Sequence, residues 1–356
     1  MSLQNRSNCL LYSLFFIFLL FFQQAKSQDI WEKTNQWLEN NITQLGGNAV
    51  LLVYKNDKQV YLNTINNPGH LKQQFAKRRG INISLDENTP TLIASCSKWL
   101  SAALIMTFVD EGKLRITDSI GKFLPIFTRY GKGAITIGDC LSHLTGTESN
   151  REDNRLYMQM SSMDKVIEYI AKKPLINTPG TAFSYGSDGL QITASIIEKI
   201  SGKSFKSLFN ERIAQPLDMK NTNFGNQEVA LPAGGAHSSA LDYMNFLQMI
   251  LHHGSFHGKQ ILSPQSVKEM QINRIANKEI SYSPAQSSDW GYGYGEWTLN
   301  KDVVSSPGMF GSIPWIDNKN QYAAVLITLN LRTKDRQDRY LELIQLVEDA
   351  VKQLHE

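Results

Sequence analysis

Ser95 and Lys98 stand three residues apart in Ala94-Ser95-Cys96-Ser97-Lys98-Trp99-Leu100, where an extended run ending at Ala94 gives way to a helical pattern reaching Glu111. Side chains at i and i+3 of a helix share a face one turn apart, so this spacing sets an amine beside a hydroxyl. A serine hydroxyl is a weak nucleophile at neutral pH and needs a neighbouring base, a role open to a partly desolvated lysine of lowered pKa. At a helix start, free N–H groups and the helix dipole also favour developing negative charge. Taken alone, Ser-x-x-Lys occurs in many helices as a cap and a solvated lysine, so the positioning elements must carry the rest.

Those elements begin with an export signal. Arg6 precedes an apolar run of about 13 residues, Leu10 to Phe22, and Ala25-Lys26-Ser27 is a small-x-small cleavage pattern. The run is short of the roughly 20 apolar residues a spanning helix needs. Residues 1–27 are therefore expected to be a signal peptide, with the mature chain extracytoplasmic, periplasmic or secreted. The 356-residue chain carries a net charge of only +3, which gives no basic footprint for nucleic acid. Cys96 and Cys140 would survive cleavage, as one disulfide or as two buried thiols. No Cys/His spacing suggests a metal, and no cofactor is implied.

The mature chain opens with a predicted helix, Asp29 to Thr43, and a hairpin, Ala49 to Tyr54 with Gln59 to Leu62. The polar stretch Asn63 to Pro90, punctuated by Pro68-Gly69 and Arg79-Gly80, is longer than a passive connection and reads as a lid or rim. Short helices and loops fill 113–273: Thr136 is placed to cap a helix reaching Leu144, Met163 to Ala171 and Gly189 to Ile200 are amphipathic, and Gly202 is a stop signal. Strands return over Tyr292 to Leu299, Asp302 to Ser305, Gly308 to Ile316 and Tyr322 to Leu329, before a last amphipathic helix from Tyr340 to Leu354. The expected fold is α+β: an antiparallel sheet built from both chain ends (28–112 plus 274–356), flanked by helices, with a mainly helical domain (113–273) inserted and the site between them.

With these residues in view, the chain resembles the serine β-lactamase and penicillin-binding-protein superfamily, in particular its class C β-lactamase and esterase branch. The likeness rests on an ordered set. After Ser95-x-x-Lys98 come Ile135 to Gly146, similar to a helix ending in Ser-His-x-x-Gly; Thr178-Pro179-Gly180-Thr181-Ala182-Phe183-Ser184-Tyr185-Gly186-Ser187, similar to Pro-Gly-x-x-Phe-x-Tyr-x-Asn; Pro216 to Thr222; and Pro232-Ala233-Gly234-Gly235. The resemblance implies a β-lactamase/transpeptidase-like fold, Ser95 as acylated nucleophile, Lys98 as its base partner and Tyr185 as second proton-transfer group, its phenol pKa lowered by the lysine.

Two departures bear on substrate. Ser187 stands where the family has asparagine, and Ser306-Pro307-Gly308 stands where it has Lys-Thr-Gly or His-x-Gly, so the expected cation is absent. Ser187, Ser306, Gly308 and Met309 are the expected substrate-binding positions: Ser306 offering a neutral hydrogen bond, Gly308 allowing close approach, and the Met309 N–H pairing with that of Ser95 as an oxyanion hole. Without the cation, affinity for carboxylate-bearing β-lactams and stem peptides should fall. The expected activity is thus hydrolysis of a small-molecule ester, amide or peptide, of esterase or amidase type, rather than a class C-like β-lactamase or D-Ala-D-Ala carboxypeptidase. A non-hydrolysing binding or sensor protein on the same fold is the alternative from another class. His143 and His237 are weaker candidates for the base, and Trp290, Tyr292, Tyr294, Trp297 and Trp315 divide between an acyl pocket and core packing.

Overall fold

In the computed structural model, residues 30–79, 83–148, 153–284, 289–330 and 335–354 are described; the leader expected over 1–27 lies outside them. Helix α1 (Glu32–Asn41) leads into the hairpin β1 (Asn48–Lys55) and β2 (Lys58–Asn66). The buried helix α2 is Ser97–Asp110, α3 is Asp188–Ser201 and α4 is Ala240–Leu251. Strands β3 (Gly291–Tyr292), β4 (Trp297–Thr298), β5 (Val303–Ser305), β6 (Ile313–Asp317) and β7 (Tyr322–Thr328) follow, and α5 (Arg336–Gln353) comes last. None of the described helices is long and apolar enough to cross a membrane.

The seven strands form one antiparallel sheet in the order β2-β1-β7-β6-β5-β4-β3. The first and last hairpins meet where the second and third strands of the sheet, β1 and β7, pair from Ala49 opposite Thr328 to Lys55 opposite Tyr322. Strand side chains alternate between faces. Val50 and Leu52, with Ala323, Val325 and Ile327, therefore join the core containing α2 and α4, whereas Leu51, Val53, Ala324 and Leu326 join a second core under α1 and α5. Both faces are covered, so both strands are apolar throughout instead of alternating with polar residues.

Local signals account for the helix ends. Thr136 and Asp139 form a reciprocal capping box ahead of the short helix Ile137–Leu141, Ser239 caps α4, and Gly202 ends α3 in the left-handed region. The long polar stretch after β2 differs from expectation: β2 runs on to Asn66 and the helix His70–Arg79 follows, with Lys77, Arg78 and Arg79 exposed. Cys96 and Cys140 are both buried and free, which settles the choice between a disulfide and two thiols. Burial pushes the Cys96 thiol upward, away from reactivity.

Candidate active site

The Ser95 turn is built by packing α2 on all sides. Twelve of its residues, Ser97 to Phe108, are buried, as expected of a helix apolar around most of its circumference. A 3₁₀ turn, Ala94–Cys96, precedes it, so Ser95 sits just before the α-helix. Ala94 has φ +47, a left-handed conformation uncommon for a residue with a Cβ. Such strain persists only where the surroundings enforce it. Here they do: Ser97 Oγ donates to the Ala94 carbonyl at 2.6 Å and accepts from Ala236 N at 3.0 Å, and the Tyr243 hydroxyl donates to the Cys96 carbonyl at 2.8 Å.

The loop Pro232-Ala233-Gly234-Gly235 forms a wall stitched to the front of α2. Ser101 Oγ donates to the Pro232 carbonyl at 2.7 Å, and Lys98 Nζ to that of Ala233 at 2.8 Å. Lys98 Nζ also stands 3.1 Å from Ser95 Oγ, the pairing expected from the i,i+3 spacing. The lysine side chain is 2% exposed. Burial lowers its pKa from 10.5 to about 7, so a large fraction of the amine is unprotonated at neutral pH.

Tyr185 arrives from the inserted helical segment. It follows the short strand Ala182–Ser184, which pairs in parallel with Glu279–Tyr282; the Ser184 N–H donates to the His143 carbonyl and the Tyr185 N–H to the Tyr282 carbonyl, each at 3.0 Å. The ring stacks on Trp297, with centroids 5.3 Å apart, and Lys98 Nζ lies 4.6 Å from its centroid. The Tyr185 ring is thus brought from a distant part of the chain to the side of the Ser95–Lys98 pair. One expectation is corrected: the Tyr185 phenol is raised above its ordinary pKa, because burial outweighs the side-chain hydrogen bond to Ser95. An amine already near pKa 7 supplies too little standing charge to hold a phenolate, so Tyr185 remains a neutral phenol.

The third segment comes from the turn after β5. Gly308 presses on the Ser95 turn: a Cβ there would lie 2.3 Å from the Ile93 carbonyl and 3.1 Å from Cys96 Sγ. A close approach that the glycine allows is to the protein's own backbone. Ser306 also departs from expectation, since it is buried and its hydroxyl turns inward, 3.2 Å from both the Ser95 and the Gly295 carbonyls. It braces the turn beneath Ser95 instead of offering a bond to the cleft. Met309 is 55% exposed, and among the described residues neither its N–H nor that of Ser95 donates to an internal acceptor. Ser187 is half-buried at the start of α3, and its side chain caps nothing.

Of the weaker candidates, the structure accounts for the His143 ring but not for that of His237, whose Nδ1 is buried with no partner among the described residues. His143 Nε2 lies 3.0 Å from the Tyr292 hydroxyl, and burial followed by the nearby Lys98 holds its pKa well below the ordinary range, so it stays neutral. His237 pairs its backbone with Asn223. Trp290, Tyr292, Tyr294, Trp297 and Trp315 are all buried, which assigns them to the core.

Sequence reasoning missed a second polar cluster. Lys173 Nζ contacts Asp153 at 2.7 Å and both Asp188 oxygens at 3.0 and 3.1 Å; Tyr157 and Thr147 donate to the same Asp188 carboxylate. Asp188 opens α3 three residues after Tyr185, so this cluster ties down the segment carrying the phenol. It also missed Glu296, a fully buried carboxyl facing Trp99. Gly295 brings Glu296 there: at φ +80 it lies so close to α2 that a Cβ would meet the Lys98 carbonyl and the Ala102 methyl, each at 2.6 Å. Lys173 has no local signature in Lys172-Lys173-Pro174, which looks like any helix stop.

The sheet order, the flanking helices and the Ser-x-x-Lys corner together define a β-lactamase/transpeptidase-like fold of the serine hydrolase type. Sequence comparison agrees: the Beta-lactamase family profile matches residues 38–347, and the chain belongs to that family. It is 26% identical over 316 residues to Protein Rv1367c of Mycobacterium tuberculosis (strain ATCC 25618 / H37Rv), spanning 73% of this chain and 75% of that protein. It is 22% identical over 316 residues to the teichoic acid D-alanine hydrolase of Staphylococcus aureus, spanning 85% and 74%. Among solved structures, a Bacteroides dorei DSM 17855 protein provisionally called a β-lactamase superposes with a TM-score of 0.76 at 26% identity, over 90% of this chain and 99% of that one.

Proposed function

We propose that this chain is an exported serine hydrolase that forms an acyl-enzyme on Ser95 and acts on a carboxylic ester or amide. The observation that carries the reading is the Lys98 amine, buried, brought down to a pKa of about 7 and 3.1 Å from Ser95 Oγ. Unprotonated Lys98 takes the Ser95 proton as Oγ attacks the substrate carbonyl carbon. The Ser95 and Met309 N–H groups receive the resulting oxyanion, a contribution worth roughly 3 to 4 kcal/mol for such donors. Collapse breaks the bond to the leaving group, which takes a proton from the Tyr185 phenol; the Lys98 ammonium then returns its proton to Tyr185. Water repeats the sequence on the acyl-enzyme and frees Ser95.

An ester or amide lacking a carboxylate near the scissile bond fits better than a β-lactam. The usual third-motif cation is replaced by Ser306, and the inward turn of that hydroxyl leaves it spent on two carbonyls. Hydrolysis of a D-alanyl bond by the Staphylococcus aureus relative is compatible with this preference.

Turnover of a short-chain p-nitrophenyl ester and of a cephalosporin, measured on the wild type and Ser95→Ala with intact-mass detection of the adduct, tests the reading. The expected result is ester turnover through a transient adduct that Ser95→Ala abolishes. Cephalosporin hydrolysis at comparable efficiency would point to a β-lactamase, a persistent adduct to a sensor, and the absence of any adduct would refute the acyl-enzyme.

A further inference from the structure

Met309 carries an N–H that the proposed function gives to the oxyanion, and it sits on an exposed turn. Part of what holds it lies behind the turn. Arg336, at the start of α5, is 4% exposed and donates Nη1 to the Met309 carbonyl at 2.8 Å and Nη2 to the Asn330 carbonyl at 3.0 Å. The neighbouring carbonyl is held as well: Phe310 O accepts from the Asn330 N–H at 2.6 Å and from Thr328 Oγ1 at 3.1 Å. Gly308 N donates to Ser312 O at 2.8 Å, and Gly311 N to Gly308 O at 3.0 Å, closing the turn on itself. The Met309 and Phe310 carbonyls are thus both engaged, while the Met309 N–H donates to no acceptor among the described residues.

The guanidinium grips the carbonyl of the same residue whose N–H has no acceptor among the described residues. A planar fork with several donors can span two carbonyls at once, which an ammonium on a flexible stem does less rigidly. Holding the Met309 carbonyl restricts rotation about the Cα–C bond of that residue, and the Gly311 N–H on the Gly308 carbonyl holds the peptide plane that carries the Met309 N–H, so the two together aim it. The fork also brings a full positive charge to the Met309 carbonyl, in a segment where the usual cation is replaced by Ser306.

We propose that Arg336 is the positioning residue of the oxyanion site, fixing the Met309 carbonyl and through it the direction of the Met309 N–H. The proposal rests on Ser95 being the acylated nucleophile. It predicts that Arg336 is felt where negative charge develops and not where the ground-state substrate binds. Misaiming a donor by about 1 Å is enough to cost on the order of 10²-fold in rate.

The experiment compares wild type, Arg336→Ala and Arg336→Lys for kcat and KM on a p-nitrophenyl ester, for the inhibition constant of an alkylboronic acid, whose tetrahedral adduct places an anionic oxygen in the same hole, and for melting temperature. Arg336→Ala is expected to lower kcat roughly 10²-fold with KM within threefold. Boronate affinity should fall by the same factor, added methylguanidinium should restore part of both, and Arg336→Lys should lie between. A folded Arg336→Ala that keeps kcat and boronate affinity within threefold overturns the proposal, as does a loss confined to KM. Should Arg336→Ala fail to fold, Arg336→Lys decides: wild-type kcat and boronate affinity in that variant overturn the proposal, and a parallel loss in both at an unchanged melting temperature supports it. Wild type that forms no Ser95 adduct would defeat the acyl-enzyme itself; normal acylation with indifferent Arg336 variants would defeat only this inference.

Discussion

Lys98 and Lys173 are both removed from water, 2% and 10% exposed, and their surroundings drive them apart. Around Lys98 the partners are a serine hydroxyl, a backbone carbonyl and the face of a tyrosine ring. Burial therefore goes uncompensated, and the pKa falls to about 7. Around Lys173 burial pulls the same way, but Asp188 and Asp153 outweigh it and the amine is raised above its ordinary value. One site keeps an amine able to accept a proton at neutral pH; the other keeps a permanent cation that clamps two carboxylates. The difference teaches that burial alone does not make a lysine reactive. What matters is whether the fold also supplies a carboxylate.

The largest effect expected from this contrast is at Lys98. Arginine stays protonated at every accessible pH, so Lys98→Arg should lower the acylation rate on the order of 10⁴-fold, read by single-turnover kinetics. Wild-type kcat/KM should show an acid limb with an apparent pKa of about 7, activity falling as pH drops and the amine protonates. A profile flat from pH 5 to 8 would break the comparison on the Lys98 side.

Next comes Lys173. Lys173→Met strands Asp153 and Asp188 in the interior, where an uncompensated buried charge costs roughly 3 to 5 kcal/mol. Denaturant unfolding should report that loss, and an unchanged midpoint would show that the cluster is not structural. The effect on turnover should be much smaller than on stability.

Glu296 sharpens the comparison from the acidic side. Burial raises its carboxyl well above 4.5, so the folded chain keeps a proton that the unfolded chain releases as pH rises past 4.5. That stabilisation is complete at low pH and is progressively lost above it. Glu296→Gln should therefore flatten the decline of stability that sets in above pH 4.5, by up to about 1 kcal/mol per pH unit. Parallel wild-type and variant curves would overturn this.

The smallest effect is Lys98→Met. The unfolded chain binds more protons than the folded one between pH 7 and 10.5, so wild-type stability rises across that window. Replacing the amine removes this penalty but strands the Ala233 carbonyl that Lys98 now serves, so the melting temperature should rise by only about 2 °C below pH 7, the gain fading toward pH 10. It would mark the stability given up for a reactive amine.

Much of this was legible from the order of residues. The Ser95 to Lys98 spacing, the cap at Thr136, the Gly202 stop and the apolar strands of the two terminal hairpins all act within a few residues of themselves. So did the position of Tyr185 after Pro179-Gly180. The inward turn of Ser306 was not legible, because its acceptors are the carbonyls of Ser95 and Gly295, the first more than 200 residues away. Nor was the neutral state of Tyr185, set by packing among Trp297 and its neighbours.

The sequence by itself determined which functional groups exist and which of them share a helical turn, since backbone geometry carries i,i+3 neighbours together wherever the helix lies. Only the tertiary structure decided their protonation and aim. Desolvation depends on what closes over a group, and here the cover over Lys98 comes from Ala233 and Tyr185, while the hand behind Met309 comes from Arg336.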